Sequence, residues 1–345
     1  MRKLHIFIND ISCSGGTERV ASFLANNLVK HNFDLTIVSL FGEKGSNYYV
    51  LDHNVKVKYI GSSSFAKVLK FIRQNPCDIL ISISMGRLSF KIAMLNAVFN
   101  FPLKLVLSEH VAYESSPFWV RMLKLVSYQF CDTLILLTQH DYNVLYRKVR
   151  AKTFVIRNAS TFDSGSVDML KDKQKIVLAV GRLTYQKSFD RLLQIWAAIK
   201  NTNGWTLKIV GDGEEKENLT KLINELNISD SVSLTPASKL IDVEYTKASI
   251  VVMTSRYEGL PLVLIESKSF GLPAIAFDCK TGPGELIKNF SDGFLISQND
   301  CEEFKVKLEL LMNDDIRRKE MQYNALIASQ DYSTDMIAKE WIRIL

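Results

Sequence analysis

No apolar run in the 345-residue chain approaches the ~18–20 residues that a membrane-spanning helix needs, which argues against an integral span. The opening stretch, Met1 to Asp10, turns polar too soon for a signal peptide and reads as a first buried strand. Cysteine is sparse: Cys13, Cys77, Cys131, Cys279 and Cys301 are odd in number and form no Cys-x-x-Cys pair. That spacing speaks against a disulfide frame or a zinc site and fits reduced thiols in the cytoplasm. The string Asp-x-Asp is missing throughout, so a carboxylate clamp for a metal-bound diphosphate has no source, and neither metal nor cofactor is expected. Neither a G-x-x-x-x-G-K-[ST] loop nor a G-x-S-x-G elbow occurs. Gly15-Gly16 is not a G-x-G-x-x-G, and no acid ends the second strand at Leu40, so the NAD fingerprint is absent too. Basic residues are not interleaved with aromatics in any nucleic-acid module, and no repeat or heptad tract is evident.

What is present fits a soluble α/β protein. A chain of 345 residues exceeds one typical core, and 47% apolar with 23% charged residues is ordinary for a globular protein. The charge is uneven: residues 1–160 carry 20 Lys+Arg against 10 Asp+Glu, whereas the remainder carries 23 against 27. A basic first half suits an anionic partner, or is simply a solvated surface. Short apolar runs, among them Leu4–Ile8, Leu35–Leu40, Ile79–Ile83, Leu103–Leu107 and Thr133–Leu137, alternate with helical spacing such as Thr17–Lys30 and Phe65–Arg73. A second series follows at Ile176–Val180, Leu207–Val210, Val232–Leu234, Ile250–Met253, Ala274–Phe277 and Phe294–Ile296. Alternation of this kind means parallel sheets covered on both faces, hence two Rossmann-like, doubly wound domains. The polar stretch from Asn158 to Lys175 is the linker candidate.

The chemistry-bearing residues fall where such strands end. Glu258-Gly-Leu-Pro-Leu-Val-Leu-Ile-Glu266 puts one acid on a Gly-Pro turn and another about one turn into the helix that follows. Backbone N–H groups at a helix start attract anions. Carboxylates on either side would repel a phosphate but suit sugar hydroxyls. The bland reading makes Glu258 a helix cap and Glu266 a solvated surface acid. Gly181-Arg-Leu-Thr-Tyr-Gln-Lys187 offers two cations to a departing diphosphate, or two loop cations to solvent. Gly211-Asp-Gly213 reads mainly as turn chemistry, and Gly15-Gly16 would let backbone approach an anion. Ser108-Glu109-His110 and Lys280-Thr-Gly-Pro-Gly-Glu285 also end strands, so His110 and Thr281 are site candidates.

Together these motifs resemble the retaining glycosyltransferases of family 4, with the GT-B fold, and they stand in family order over most of the chain. The resemblance implies two Rossmann-like domains facing a central cleft. Residues 1–160 would bind the acceptor, 161–330 the nucleotide sugar, and a helix over 331–345 would cross back, anchored by Trp341. It implies that Arg182 and Lys187 hold the diphosphate and Glu258 contacts the transferred sugar. His110 would hydrogen-bond that sugar near the reacting carbon. Donor contacts would include Gly16, Gly181, Gly211, Gly259, Leu260, Pro261, Leu262 and Thr281, with Glu266 on the ribose; Gly15 and Glu109 would serve the acceptor. Val111 after His110, and Lys280 where similar loops have proline, depart from the pattern. The implied reaction is metal-independent transfer of a hexose or N-acetylhexosamine with retention. The donor would be a UDP-sugar, and the acceptor a polyprenyl-diphosphate-linked glycan of a surface polysaccharide.

Two segments, Phe65–Arg73 and Pro117–Leu125, mix Lys/Arg with large apolar residues. Each reads as an interfacial helix at the inner face of the membrane, or as an ordinary core-facing helix. A sugar-nucleotide epimerase or phosphorylase of the same fold, and a non-catalytic partner subunit, are the alternatives.

Overall fold

The computed structural model describes the chain except residues 14, 44, 85, 163–169, 171, 172 and 239. It divides into two compact units: Met1–Ala159 together with Thr334–Leu345, and Ser160–Ser333.

The first unit carries strands β1 (Arg2–Asp10), β2 (Phe33–Phe41), β3 (Lys56–Tyr59), β4 (Ile79–Ser84), β5 (Lys104–Glu109), β6 (Thr133–Leu136) and β7 (Lys152–Val155). Its helices are α1 (Gly16–Leu28), α2 (Phe65–Gln74), α3 (Arg87–Phe99), α4 (Phe118–Tyr128) and α5 (Gln139–Leu145). The strands form one seven-stranded parallel sheet in the order β3-β2-β1-β4-β5-β6-β7. Period-two alternation splits the inner strands between two cores. Leu4, Ile6 and Ile8, Ile79, Ile81 and Ile83, and Val106 lie on one face, packed with Val20, Leu24 and Leu28 of α1. Phe7, Leu80, Leu105 and Leu107 lie on the other, under Val68 and Ile72 of α2, Leu88 and Ile92 of α3, and Tyr128 of α4.

The second unit carries β8 (Ile176–Val180), β9 (Thr206–Val210), β10 (Val232–Thr235), β11 (Ile250–Met253), β12 (Ala274–Phe277) and β13 (Gly293–Ile296). Between and after them come α6 (Phe189–Ala197), α7 (Lys216–Glu225), α8 (Ile241–Lys247), α9 (Leu262–Ser269), α10 (Pro283–Leu286), α11 (Cys301–Asn313) and α12 (Asp315–Ala328). The sheet is again parallel, ordered β10-β9-β8-β11-β12-β13. Val177, Ala179, Leu207 and Ile209 pack on Trp196, Trp205 and Phe304. Asp300 and Asp314 cap α11 and α12 by accepting from the amides of Glu303 and Arg317, both at 2.9 Å.

The last helix, α13 (Thr334–Ile344), belongs to the first unit, where Ile337, Ala338 and Trp341 are buried in the α1 core. Half of the expected linker lies outside the described residues, and its beginning is not solvated. Asn158, Ala159 and Ser160 are buried, because the Ser160 amide donates to the Tyr332 carbonyl and its hydroxyl meets Ser269 Oγ at 2.8 Å.

Candidate functional site

In both sheets strand order reverses beside the first strand, between β1 and β4 and between β8 and β11. Open parallel sheets bind ligands beyond the carboxyl ends of the strands at such a switch point. In the second unit the loop after β8 holds Gly181 to Lys187, and the segment after β11 runs from Thr254 to Glu258.

The glycines there are set by crowding. A Cβ on Gly211 would lie 1.9 Å from the Gly181 carbonyl oxygen, and one on Gly213 2.3 Å from that of Leu183. The Leu183 amide in turn donates to Asp212 O at 2.9 Å. Gly211-Asp-Gly213 is therefore more than a turn: it lets the loop after β9 lie on the loop after β8.

Lys187 Nζ meets Glu258 Oε1 at 2.6 Å, with the carboxylate 7% exposed and the lysine 18%. The two come from opposite sides of the switch point. Thr254 Oγ1, at the end of β11, shares its proton between the carbonyls of Lys187 and Ser188, at 3.2 and 3.0 Å. Ser188 holds a left-handed φ of 55° just before α6, a conformation costly for a residue with a side chain. The Arg256 amide donates to Gln186 O, and the Gln186 side chain returns to Tyr257 O at 2.9 Å. Arg256 also pairs with Asp190 at 3.1 Å and covers the Tyr185 ring. The Arg182 side chain is exposed and makes no ion pair or hydrogen bond among the described residues. Burial pushes the nearby Cys279 thiol up to about 12, with Glu258 adding to the rise, so it is no nucleophile.

Glu258 does not cap α9. Pro261 takes the cap position and no side chain bonds there. Thr281, expected on the donor, is buried and donates to Glu258 O at 2.6 Å. Gly282 follows with φ 96° and a Cβ position 2.5 Å from Gly259 O, so the Thr-Gly-Pro-Gly loop braces the Glu258–Pro261 turn. Pro261 has no N–H, so any amide contact at this helix start falls to Gly259, Leu260, Leu262 and Val263. Glu266 is 2% exposed, not a solvated acid, and accepts from Tyr245 Oη at 3.1 Å.

In the first unit Gly15 precedes α1 and Gly16 is its first residue; Ser14 lies outside the described residues. Buried Glu18 comes within 2.3 Å of where a Gly15 Cβ would be. A carboxylate there counts against an anion at Gly15. Glu109, expected on the acceptor, points inward. It shares the helix-covered face of β5 with Leu105 and Leu107, by strand alternation. Lys124 Nζ of α4 pairs with it at 3.0 Å, both side chains at most 3% exposed, and burial together with the Glu109 charge holds the Tyr128 phenol well above its ordinary pKa.

His110 follows with its amide on Ser84 O and Nε2 3.1 Å from Ser108 Oγ. Burial pushes its pKa down to about 4, and burial with nearby Lys58 does the same to His5. Both imidazoles are neutral at physiological pH. Their folded pKa values lie below the unfolded value of 6.5, so the unfolded chain binds more protons between the two. Their contribution to stability is expected to be flat above pH 7 and to fall as pH drops from 6.5 toward 4. The difference in Tm between wild type and His5→Gln/His110→Gln across that range measures it. A difference that does not change with pH would remove the assignment.

Sequence reasoning missed Thr254, Ser188 and Tyr245. A hydroxyl residue closing the buried strand beside the switch point was a usable signal for Thr254; Ser188 and Tyr245 had none.

Residues 166–327 match the family described as glycosyl transferases group 1. The amylovoran biosynthesis glycosyltransferase AmsD of Erwinia amylovora is 42% identical, covering 100% of both chains. A Campylobacter jejuni protein is 31% identical, over 100% of this chain and 98% of its own. It is named GalNAc-alpha-(1->4)-GalNAc-alpha-(1->3)-diNAcBac-PP-undecaprenol alpha-1,4-N-acetyl-D-galactosaminyltransferase. Among solved structures, Anabaena HepE in complex with UDP and glucose superposes with a TM-score of 0.85 at 18% identity, covering 100% of this chain and 99% of that one. A mutant of S. aureus TarM in complex with UDP gives 0.86 at 15%, covering 100% and 99%. The fold is GT-B, two Rossmann-like units with parallel sheets. Identity of 42% sustained along the whole length settles the family: the chain belongs to the group 1 glycosyl transferases.

Proposed function

We propose that the chain moves a hexose or N-acetylhexosamine from a UDP-sugar to a polyprenyl-diphosphate-linked saccharide, with retention and without a metal, at the cytoplasmic face of the membrane. The carrying observation is the Lys187–Glu258 pair at 2.6 Å across the switch point, beside the start of α9. A cation and an acid in contact suit neighbouring parts of one ligand, a diphosphate and the sugar it carries. Lys187 and Arg182 stabilise the charge growing on the leaving diphosphate, the α9 start adds its dipole, and Glu258 holds a hydroxyl of the transferred sugar. Two cations supply the counter-charge that a metal would otherwise bring. The acceptor hydroxyl attacks from the face the diphosphate leaves, and its proton passes to the departing phosphate oxygen. Neutral His110 is suited to hydrogen-bond the sugar, not to carry a charge. Glu266, fixed by Tyr245, takes the ribose hydroxyls. The undecaprenol-linked acceptor and galactosaminyl group in the name of the Campylobacter relative support the acceptor class and a galactose-configured sugar. HepE solved with UDP and glucose supports the uridine donor.

Thermal unfolding with UDP-, GDP- and ADP-sugars in EDTA tests this. A ligand bound only by the folded state at 100 times its Kd stabilises by about 2.7 kcal/mol, and only UDP-sugars are expected to raise Tm. A response to none, with no donor hydrolysis, would end the proposal. Retention is read from the anomeric proton coupling of the product.

A further inference from the structure

Helix α4 is built inside out. Lys124, Ser127 and Tyr128 face the core, while Phe118, Trp119, Met122, Leu123 and Val126 face outward at 43% to 77% exposure. Lys124 can lie inside because Glu109 pairs with it there. A core-facing amphipathic helix would show the opposite arrangement, which α2 does: it buries Val68 and Ile72 and exposes Lys67, Lys70 and Arg73. Val98, at the end of α3, is 72% exposed as well. Contiguous apolar surface of this kind marks an interaction site.

The charge around it selects the partner. Helix α3 packs between α2 and α4, and none of the three contains an Asp or Glu. Lys67, Lys70 and Arg73 stand exposed on α2, and Arg87 at the start of α3. Arg73 lies 4.5 Å from the centroid of the Phe99 ring, so a cation borders this surface at the end of α3. A second copy docking through this face would set these cations against their own kind. An anionic lipid surface would attract them while taking up the aromatic and aliphatic side chains, as interfacial helices do.

We propose that the outer face of α4, with the end of α3, is the surface by which this chain seats itself on a bilayer of anionic phospholipid. The inference deepens the lipid-linked acceptor proposed above. Its test reads binding without turnover, so either can fail while the other stands.

Trp119 provides a direct readout, since it is 77% exposed whereas Trp196, Trp205 and Trp341 are buried. Full-length protein is floated with vesicles of phosphatidylcholine alone or mixed with phosphatidylglycerol. Wild type is expected to float with the mixed vesicles, less so as salt rises, and its fluorescence to be quenched by brominated acyl chains. Trp119→Gln/Leu123→Gln/Val126→Gln should cut the partition coefficient at least about 10-fold, since each side chain loses its apolar burial. Lys67→Glu/Lys70→Glu/Arg73→Glu should cut it on the mixed vesicles alone, by at least about five-fold per residue at low salt. Both variants should keep the UDP-sugar thermal shift. Wild type that stays in solution with both vesicles, or shows no quenching, would overturn the proposal. So would a glutamine variant that floats as wild type does, or a wild-type dimer in light scattering that those glutamines abolish.

Discussion

Lys187→Ala is expected to lower kcat by about 10²–10³-fold, the usual loss when one preorganised charge-stabilising donor leaves an active site. The lysine lies 2.6 Å from Glu258 and is fixed by its own turn, through Thr254 and the left-handed Ser188, so it needs little reorganisation to meet developing charge. Glu266→Ala should act differently. A ribose contact is equally strong in ground and transition states, so its loss should raise the donor KM by about 10-fold or more and leave kcat nearly unchanged. Steady-state kinetics with varied UDP-sugar separate the two, and equal falls in kcat would sink the assignment. Removing Lys187 also leaves a nearly buried carboxylate unpaired, so part of the effect could arise from a displaced Glu258. Lys187→Ala/Glu258→Ala resolves this: if the pair works as a unit, the double variant loses little more than either single one.

The strands were legible because buried parallel strands are continuous apolar runs, and β4, Ile-Leu-Ile-Ser-Ile-Ser, shows the form. Helix α3 was not, because its sequence is apolar almost all round and carries no clear stripe. Strand order lay outside any local pattern, and with it the meeting of Lys187 and Glu258, which stand 71 residues apart. The structure gives some of the motif residues local work that their letters do not show. Thr281 and Gly211 look like ligand contacts in a string of letters, yet one braces the Glu258 turn and the other clears space for Gly181. Glu109 could have been placed from parity alone, since it follows Leu105 and Leu107 by even steps; its neighbour His110 drew it to the wrong face. Lys124 gave no warning, because a lysine in mid-helix reads as surface until its buried partner is known.

That lysine carries the largest stability prediction. Lys124→Ala removes the cation from a carboxylate that is 3% exposed, and breaking a buried pair from one side costs about 3–5 kcal/mol. For a unit of this size the corresponding fall in Tm is on the order of 10 °C. The cost comes from the stranded Glu109, not from the loss of a favourable pair, so taking away both charges should restore most of it. Lys124→Met/Glu109→Gln keeps the volume and removes both charges, and its Tm is expected within a few degrees of wild type. A drop in the double variant as large as in the single one would mean that the pair itself stabilises the fold. The same variants test what the pair is for. Glu109 ends the strand that leads into His110, and Lys124 lies on the helix whose other face is apolar and exposed. If the pair is needed only to anchor α4, the double variant should both turn over donor and float with anionic vesicles as wild type does. Loss of kcat with floating intact would instead make Glu109 a positioning residue for His110.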